Sequence, residues 1–144
     1  MSPAATMSAA YRAAEIETIS QKELIVRLYQ GAERFLEAGR LAMEQRHYES
    51  ALISCRRGKE IFIELLSTLN FEQGGEVAQQ LKQLYAFLIF QISEGSLRKR
   101  PEQIAALMPI IVTLREAWQL VPLEHADLSS VKEAHDGHTF NFRT

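Results

Sequence analysis

The sequence has 144 residues, a length that suits a single domain with a core of its own. Hydrophobic residues make up 47% and charged residues 24%, a balance that excludes a globally disordered chain. The formal net charge of -2 gives no overall field to draw the protein onto nucleic acid or anionic lipid.

Residues 1–19 read as an N-terminal arm, Ala-rich and polar, without the continuous apolar stretch that a secretory signal needs. Ser20-Gln21-Lys22-Glu23 matches a capping box, in which the Ser20 hydroxyl accepts from the Glu23 backbone N–H while the Glu23 carboxylate reaches back. Leu24, Leu28, Ala32, Phe35 and Ala42 then recur at helical spacing and predict a first helix running to Gln45. A second helix is predicted from Tyr48 to Leu69, with Ala51, Cys55, Phe62, Leu66 and Leu69 on one face. Asn70 and the Gly74-Gly75 pair read as its stop and the turn that follows. The third helix carries Val77, Leu81, Leu84, Leu88 and Ile92 inward and ends near Gly95. The fourth opens at Pro101, a good first-turn residue, and carries Ile104, Leu107, Ile111, Leu114, Trp118 and Val121. Pro109 inside this stretch predicts a kink or a delayed regular start. No period-two alternation or hairpin signal interrupts the pattern, so the expected fold is all-α. It is an antiparallel up-down four-helix bundle over residues 20–121, with residues 122–144 as a tail holding at most one short extra helix. The longest nearly apolar run, Leu84 to Ile92, is too short to cross a bilayer.

Chemical motifs are sparse. Cys55 is the only cysteine, which rules out an intramolecular disulfide framework and favours a reducing, cytoplasmic setting. It falls on the inward stripe of the second helix and reads as a small buried hydrophobe. Glu44-x-x-His47 matches one element of a carboxylate-bridged metal bundle, but such sites need a second element and further glutamates. His125, His135 and His138 match no standard metal spacing and read as solvated tail residues. Arg56, Arg57 and Lys59 form one basic cluster and Arg98-Lys99-Arg100 another. Neither is interleaved with aromatics for base stacking, and the second flanks a helix C-terminus, where cations suit the dipole. With no phosphate-binding glycine loop or nucleophile elbow, the chain reads as a non-enzyme without catalytic, cofactor or metal residues.

The helices carry more apolar residues than one inward stripe requires. On the third helix Phe87 falls roughly 120° from the stripe's centre and Phe90 nearly opposite it. On the second, Ile53 points outward and Ile61 sits on the flank. These residues could form a patch for a partner, be covered by the tail, or drive self-association. Gly31, Gly39 and Gly58 lie inside helices, where each costs ~1 kcal/mol relative to alanine. Close helix–helix approach within the bundle accounts for them, as would close approach of a bound chain.

The order of short blocks adds a resemblance. Ala10-Tyr11, Glu17-Thr18 and the run from Lys22 to Ala32 (KELIVRLYQGA) resemble the N-terminal signature of the FliS family, the flagellar secretion chaperones for flagellin. Leu69-Asn70-Phe71, Gly74-Gly75-Glu76-Val77-Ala78, Leu81-x-x-Leu84-Tyr85-x-Phe87 and Leu114-Arg115-Glu116-Ala117-Trp118 continue it in order over residues 10–121. The resemblance implies a cytoplasmic bundle that binds flagellin's C-terminal segment one to one. The segment would wrap the outside of the bundle, be kept from premature assembly and pass to the flagellar type III export apparatus. It also implies a contact role for Phe87 and a movable arm around Tyr11. Tyr29 and Tyr85 match family aromatics close to the core stripes, while Phe90 departs from the polar residues expected there. Tyr11, Ile53, Ile61, Phe87 and Phe90 are therefore the candidate partner-binding residues, with no nucleic acid and no membrane insertion. The alternative is a bundle that self-associates and has no flagellin client.

Overall fold

The computed structural model describes residues 20–121. The long helices are α1 (Gln21–Glu44), α2 (Tyr48–Ser67) and α3 (Phe71–Leu97), and α4 (Pro101–Ala105) with α5 (Met108–Leu120) makes the fourth arm. Short links at residues 45–47, 68–70 and 98–100 turn each arm antiparallel to the one before. This is the expected all-α bundle. The predicted arm, with Tyr11, and the tail, with its three histidines, lie outside the described residues.

The helix ends follow local hydrogen-bond chemistry. The Ser20 hydroxyl accepts from the Glu23 N–H at 3.1 Å, which is the first half of the predicted capping box. α1 and α3 end alike. At the first, His47 N–H reaches the Ala42 carbonyl and Arg46 N–H the Met43 carbonyl; at the second, Arg100 reaches Gly95 and Lys99 reaches Ser96. Both are Schellman closures, and the residue each needs in the left-handed region is a cation rather than glycine: Arg46 at φ 62° and Lys99 at φ 55°. Left-handed backbone costs a side-chain-bearing residue ~1–2 kcal/mol, so Arg46→Gly is expected to raise stability by ~1 kcal/mol. A thermal melt checks this, with the midpoint moving up by ~4 °C.

The link between α2 and α3 differs from the sequence expectation. α2 stops at Ser67, and Asn70 is a start signal rather than a stop. Its side-chain oxygen accepts from the Gln73 N–H at 3.1 Å, so α3 begins before the glycine pair. Gly74 is already inside the first turn, its N–H on the Asn70 carbonyl at 2.8 Å. Gly75 then interrupts the helix at φ 53° and ψ -125°, a conformation that a Cβ would oppose. The pair makes a kink inside α3 rather than the turn before it.

Pro101 is the first residue of α4, as expected, and Pro109 sits in the first turn of α5. The missing proline N–H falls where no intrahelical partner exists, so the fourth arm restarts there after a break at Ala106 and Leu107.

The core stripe of α1 is rotated from the predicted one. Ile25, Tyr29, Ala32, Leu36 and Met43 are buried, whereas Leu24, Leu28, Phe35 and Ala42 are half-buried on its flank. The predicted stripe took the more hydrophobic of two neighbouring rows, but Tyr29 can go inside because its hydroxyl has a buried partner. In α3, Tyr85, Leu88 and Ile92 are buried, while Val77, predicted inward, is 52% exposed. Val77 sits two residues after the Gly75 interruption, while further along α3 the Tyr85 hydroxyl meets the Trp118 indole of α5 inside the core.

Glycines set the α1–α2 distance. A Cβ on Gly58 would meet Leu36 side-chain carbons at 2.7 and 2.8 Å, and one on Gly39 would meet the Cys55 sulfur at 2.6 Å. A Cβ on Gly31 would make ordinary contact with Ile61 Cδ1 at 3.4 Å. Gly58→Ala should destabilise by ~1–2 kcal/mol, because overpacking against fully buried Leu36 outweighs the gain in helix propensity. Gly31→Ala should instead stabilise by ~0.5 kcal/mol. Parallel urea titrations check the opposite signs.

Candidate protein-docking surface

The polar groups inside the bundle are occupied with holding it together. The Tyr29, Phe62 and Tyr85 rings pack with centroids 6.0–6.5 Å apart, and the two tyrosine hydroxyls hydrogen-bond to each other. Burial raises both phenol pKa values, Tyr85 to about 12, and the Trp118 indole favours the ionised form of each. Arg115 Nε donates to Glu33 at 2.6 Å and Lys22 Nζ to the Val121 carbonyl at 2.6 Å, so two charged contacts fasten α5 to α1. Burial pushes the Cys55 thiol up, which keeps it protonated and unreactive. Glu44 is engaged by Arg40 at 2.9 Å and His47 is the cap residue of α2, so the Glu-x-x-His pair has structural work. Among the described residues no group of three or more His, Cys, Asp or Glu is gathered to hold a metal ion. Among them, too, no helix is long and apolar enough to cross a membrane.

The outside is different. Phe87 and Phe90 are exposed on α3, at 44% and 59%, and Ile53 on α2 at 40%. Phe87 and Phe90 lie one turn apart on the same helix, so the fold brings these two together, while Ile53 sits on another arm. Ile61 differs from the sequence reading: it is half-buried and packs against the core in the seam that Gly31 leaves open. Tyr11 lies outside the described residues.

The edge of α3 beside α4 gives these positions a setting. Gln91 of α3 accepts from the Gln103 side chain of α4 at 2.8 Å, so this edge of α3 faces the fourth arm. By helical spacing Phe87, one turn earlier, continues that edge below α4, with Val77 further down. Leu81 and Leu84 on α3 and Ile110 and Leu114 on α5 are half-buried and pack against the core. Sequence reading missed Val77, which carries an ordinary inward spacing yet is 52% exposed. It also missed Leu97 and Leu120, 71% and 84% exposed at helix ends. Their position two residues from Gly95 and Trp118, off the buried rows, was the available signal.

Comparison with known proteins agrees with this arrangement. The family described as Flagellar protein FliS matches residues 4–124. The flagellar secretion chaperone of Campylobacter jejuni is 35% identical over 102 residues, covering 71% of this chain and 80% of its own. That of Vibrio cholerae is 28% identical over 118 residues, covering 82% and 87%. That of Salmonella typhimurium is 27% identical over 107 residues, covering 74% and 79%. With a match spanning both ends of the bundle and relatives named for secretion chaperoning, the chain belongs to the FliS family.

Proposed function

We propose that this chain is a cytoplasmic export chaperone that binds the C-terminal segment of flagellin one to one. It keeps the segment from polymerising early and hands flagellin to the flagellar type III export apparatus. It acts by binding alone, with no catalysis, no cofactor, no nucleic acid and no insertion into the membrane. The supporting observation is the pairing of a polar-satisfied interior with large apolar side chains distributed over the outside. A single compact patch would suit one docked helix. Apolar residues on several faces suit a long segment that orders as it wraps, gaining contact area to offset its entropy. The arm at residues 1–19 and the tail at residues 122–144 would then flank the bundle as separate regions.

Titration calorimetry with the last ~40 residues of flagellin tests this reading, a length suited to coupled folding and binding. The expected result is saturable one-to-one binding with a clearly negative heat-capacity change. Absence of binding by intact components, together with concentration-dependent dimers in sedimentation equilibrium, would favour the self-associating bundle.

A further inference from the structure

One end of the bundle carries a feature apart from the exposed phenylalanines of α3. The α1–α2 and α3–α4 links meet there, and Lys99 Nζ stands 4.5 Å over the Tyr48 ring to join them. Beneath lies a cavity of about 360 Å³ lined by Met43, Tyr48, Ala51, Leu52 and Leu97, with Lys99 and one carboxylate, Glu49, at its edge. Leu52 is 49% exposed and Leu97 71%, so the cavity is open. Lys99 lines it, and Arg46, Arg98 and Arg100 belong to the two links that meet at this end. Arg98 is paired with Glu94 at 3.0 Å, whereas Arg46, Lys99 and Arg100 form no ion pair among the described residues.

Two of these cations occupy positions that folding alone would give to glycine. Arg46 and Lys99 each hold left-handed backbone at a helix end, at φ 62° and 55°. A cation at a helix C-terminus recovers part of that strain through the helix dipole, but a glycine would avoid it altogether. The same compromise at both links, beside the same apolar cavity, points to use of the charges in recognition.

We propose that this pole is a second docking surface, for an acidic segment of another protein that seats one leucine or phenylalanine side chain in the cavity. Its carboxylates lie against Arg46, Lys99 and Arg100. A concave apolar pocket with a cationic rim favours a peptide carrying an anchor over a lipid surface, which needs no pocket. Phe87 lies ten residues before Leu97, or about 15 Å along α3, so the pole is apart from the proposed flagellin contact at Phe87. The proposal holds whether or not flagellin is the client.

The test uses the full chain and a fluorescent probe peptide in which Asp and Glu flank a single Leu-Phe pair. Its partners are the same peptide with Lys for every acid, and vesicles of phosphatidylglycerol. The acidic probe is expected to bind saturably and to weaken with salt, while the basic probe does not bind. Leu52→Glu, at a half-exposed position, should weaken the acidic probe about tenfold or more by placing a carboxylate in the pocket. The double variant Arg46→Gly with Lys99→Gly should also weaken it about tenfold while the melting temperature rises, so lost binding cannot be blamed on unfolding. Equal binding of the acidic and basic probes, unchanged binding by both variants, or binding to vesicles but not to the acidic peptide would overturn the proposal.

Discussion

Phe87→Asp is expected to weaken binding of the flagellin C-terminal segment by about 30-fold or more, while the helical circular dichroism and the melting temperature stay near their original values. The size follows from a central aromatic anchor, whose loss typically removes ~2 kcal/mol or more, with a carboxylate then desolvated against apolar partner atoms. The preserved fold follows from position. Phe87 is 44% exposed and outside the buried core, so its replacement opens no cavity. Phe90→Asp, on the same helix and more exposed at 59%, is the companion measurement. If Phe87→Asp binds normally and Phe90→Asp does not, the client lies on the outward face of α3 rather than along its edge beside α4. A loss of helical signal in Phe87→Asp would instead mean that this ring supports the bundle.

What the sequence could disclose depended on how local each determinant is. Helix starts were legible because a cap is decided within four residues: Ser20 with Glu23, and Pro101 at the head of α4. Asn70 was misread because Asn serves both as a stop and as an N-cap, and only the capture of the Gln73 N–H decides between them. The rotation of α1 was hidden for a different reason. Leu24, Leu28 and Phe35 outrank Tyr29 on hydrophobicity, but Tyr85, 56 residues later, supplies the partner that makes Tyr29 an interior residue. The outward placement of Phe87 and Phe90 was readable from the 100° step alone, since it needs no partner element. Val77 and Ile61 needed knowledge of the surroundings, Val77 because its spacing alone reads inward and Ile61 because Gly31 makes room beside it. Apolar residues on outer faces were thus more legible than those whose exposure depends on helix packing.

The buried tyrosine pair makes stability sensitive to alkali in a stated direction. Burial holds both phenols neutral in the folded protein, Tyr85 with its pKa raised from 10.0 to about 12 and Tyr29 also raised well above 10.0. In the unfolded chain each titrates near its ordinary value of about 10. A folded pKa above the unfolded one means the unfolded state releases the proton first as pH rises, so stability is complete below about pH 10 and declines toward pH 12. Tyr85 alone is expected to remove about 1 kcal/mol by pH 11, and Tyr29 acts in the same sense. Urea midpoints measured at pH 8, 10 and 11 check this, with tyrosinate absorbance recorded on folded and unfolded samples. Tyr85→Phe separates the hydroxyl's titration from its bonding. It should lose ~1 kcal/mol at pH 8, since Tyr29 gives up a buried partner, yet fall less steeply above pH 10. An alkaline limb as steep in Tyr85→Phe as in the parent would place the sensitivity elsewhere, in the Arg115–Glu33 and Lys22–Val121 fastenings of α5.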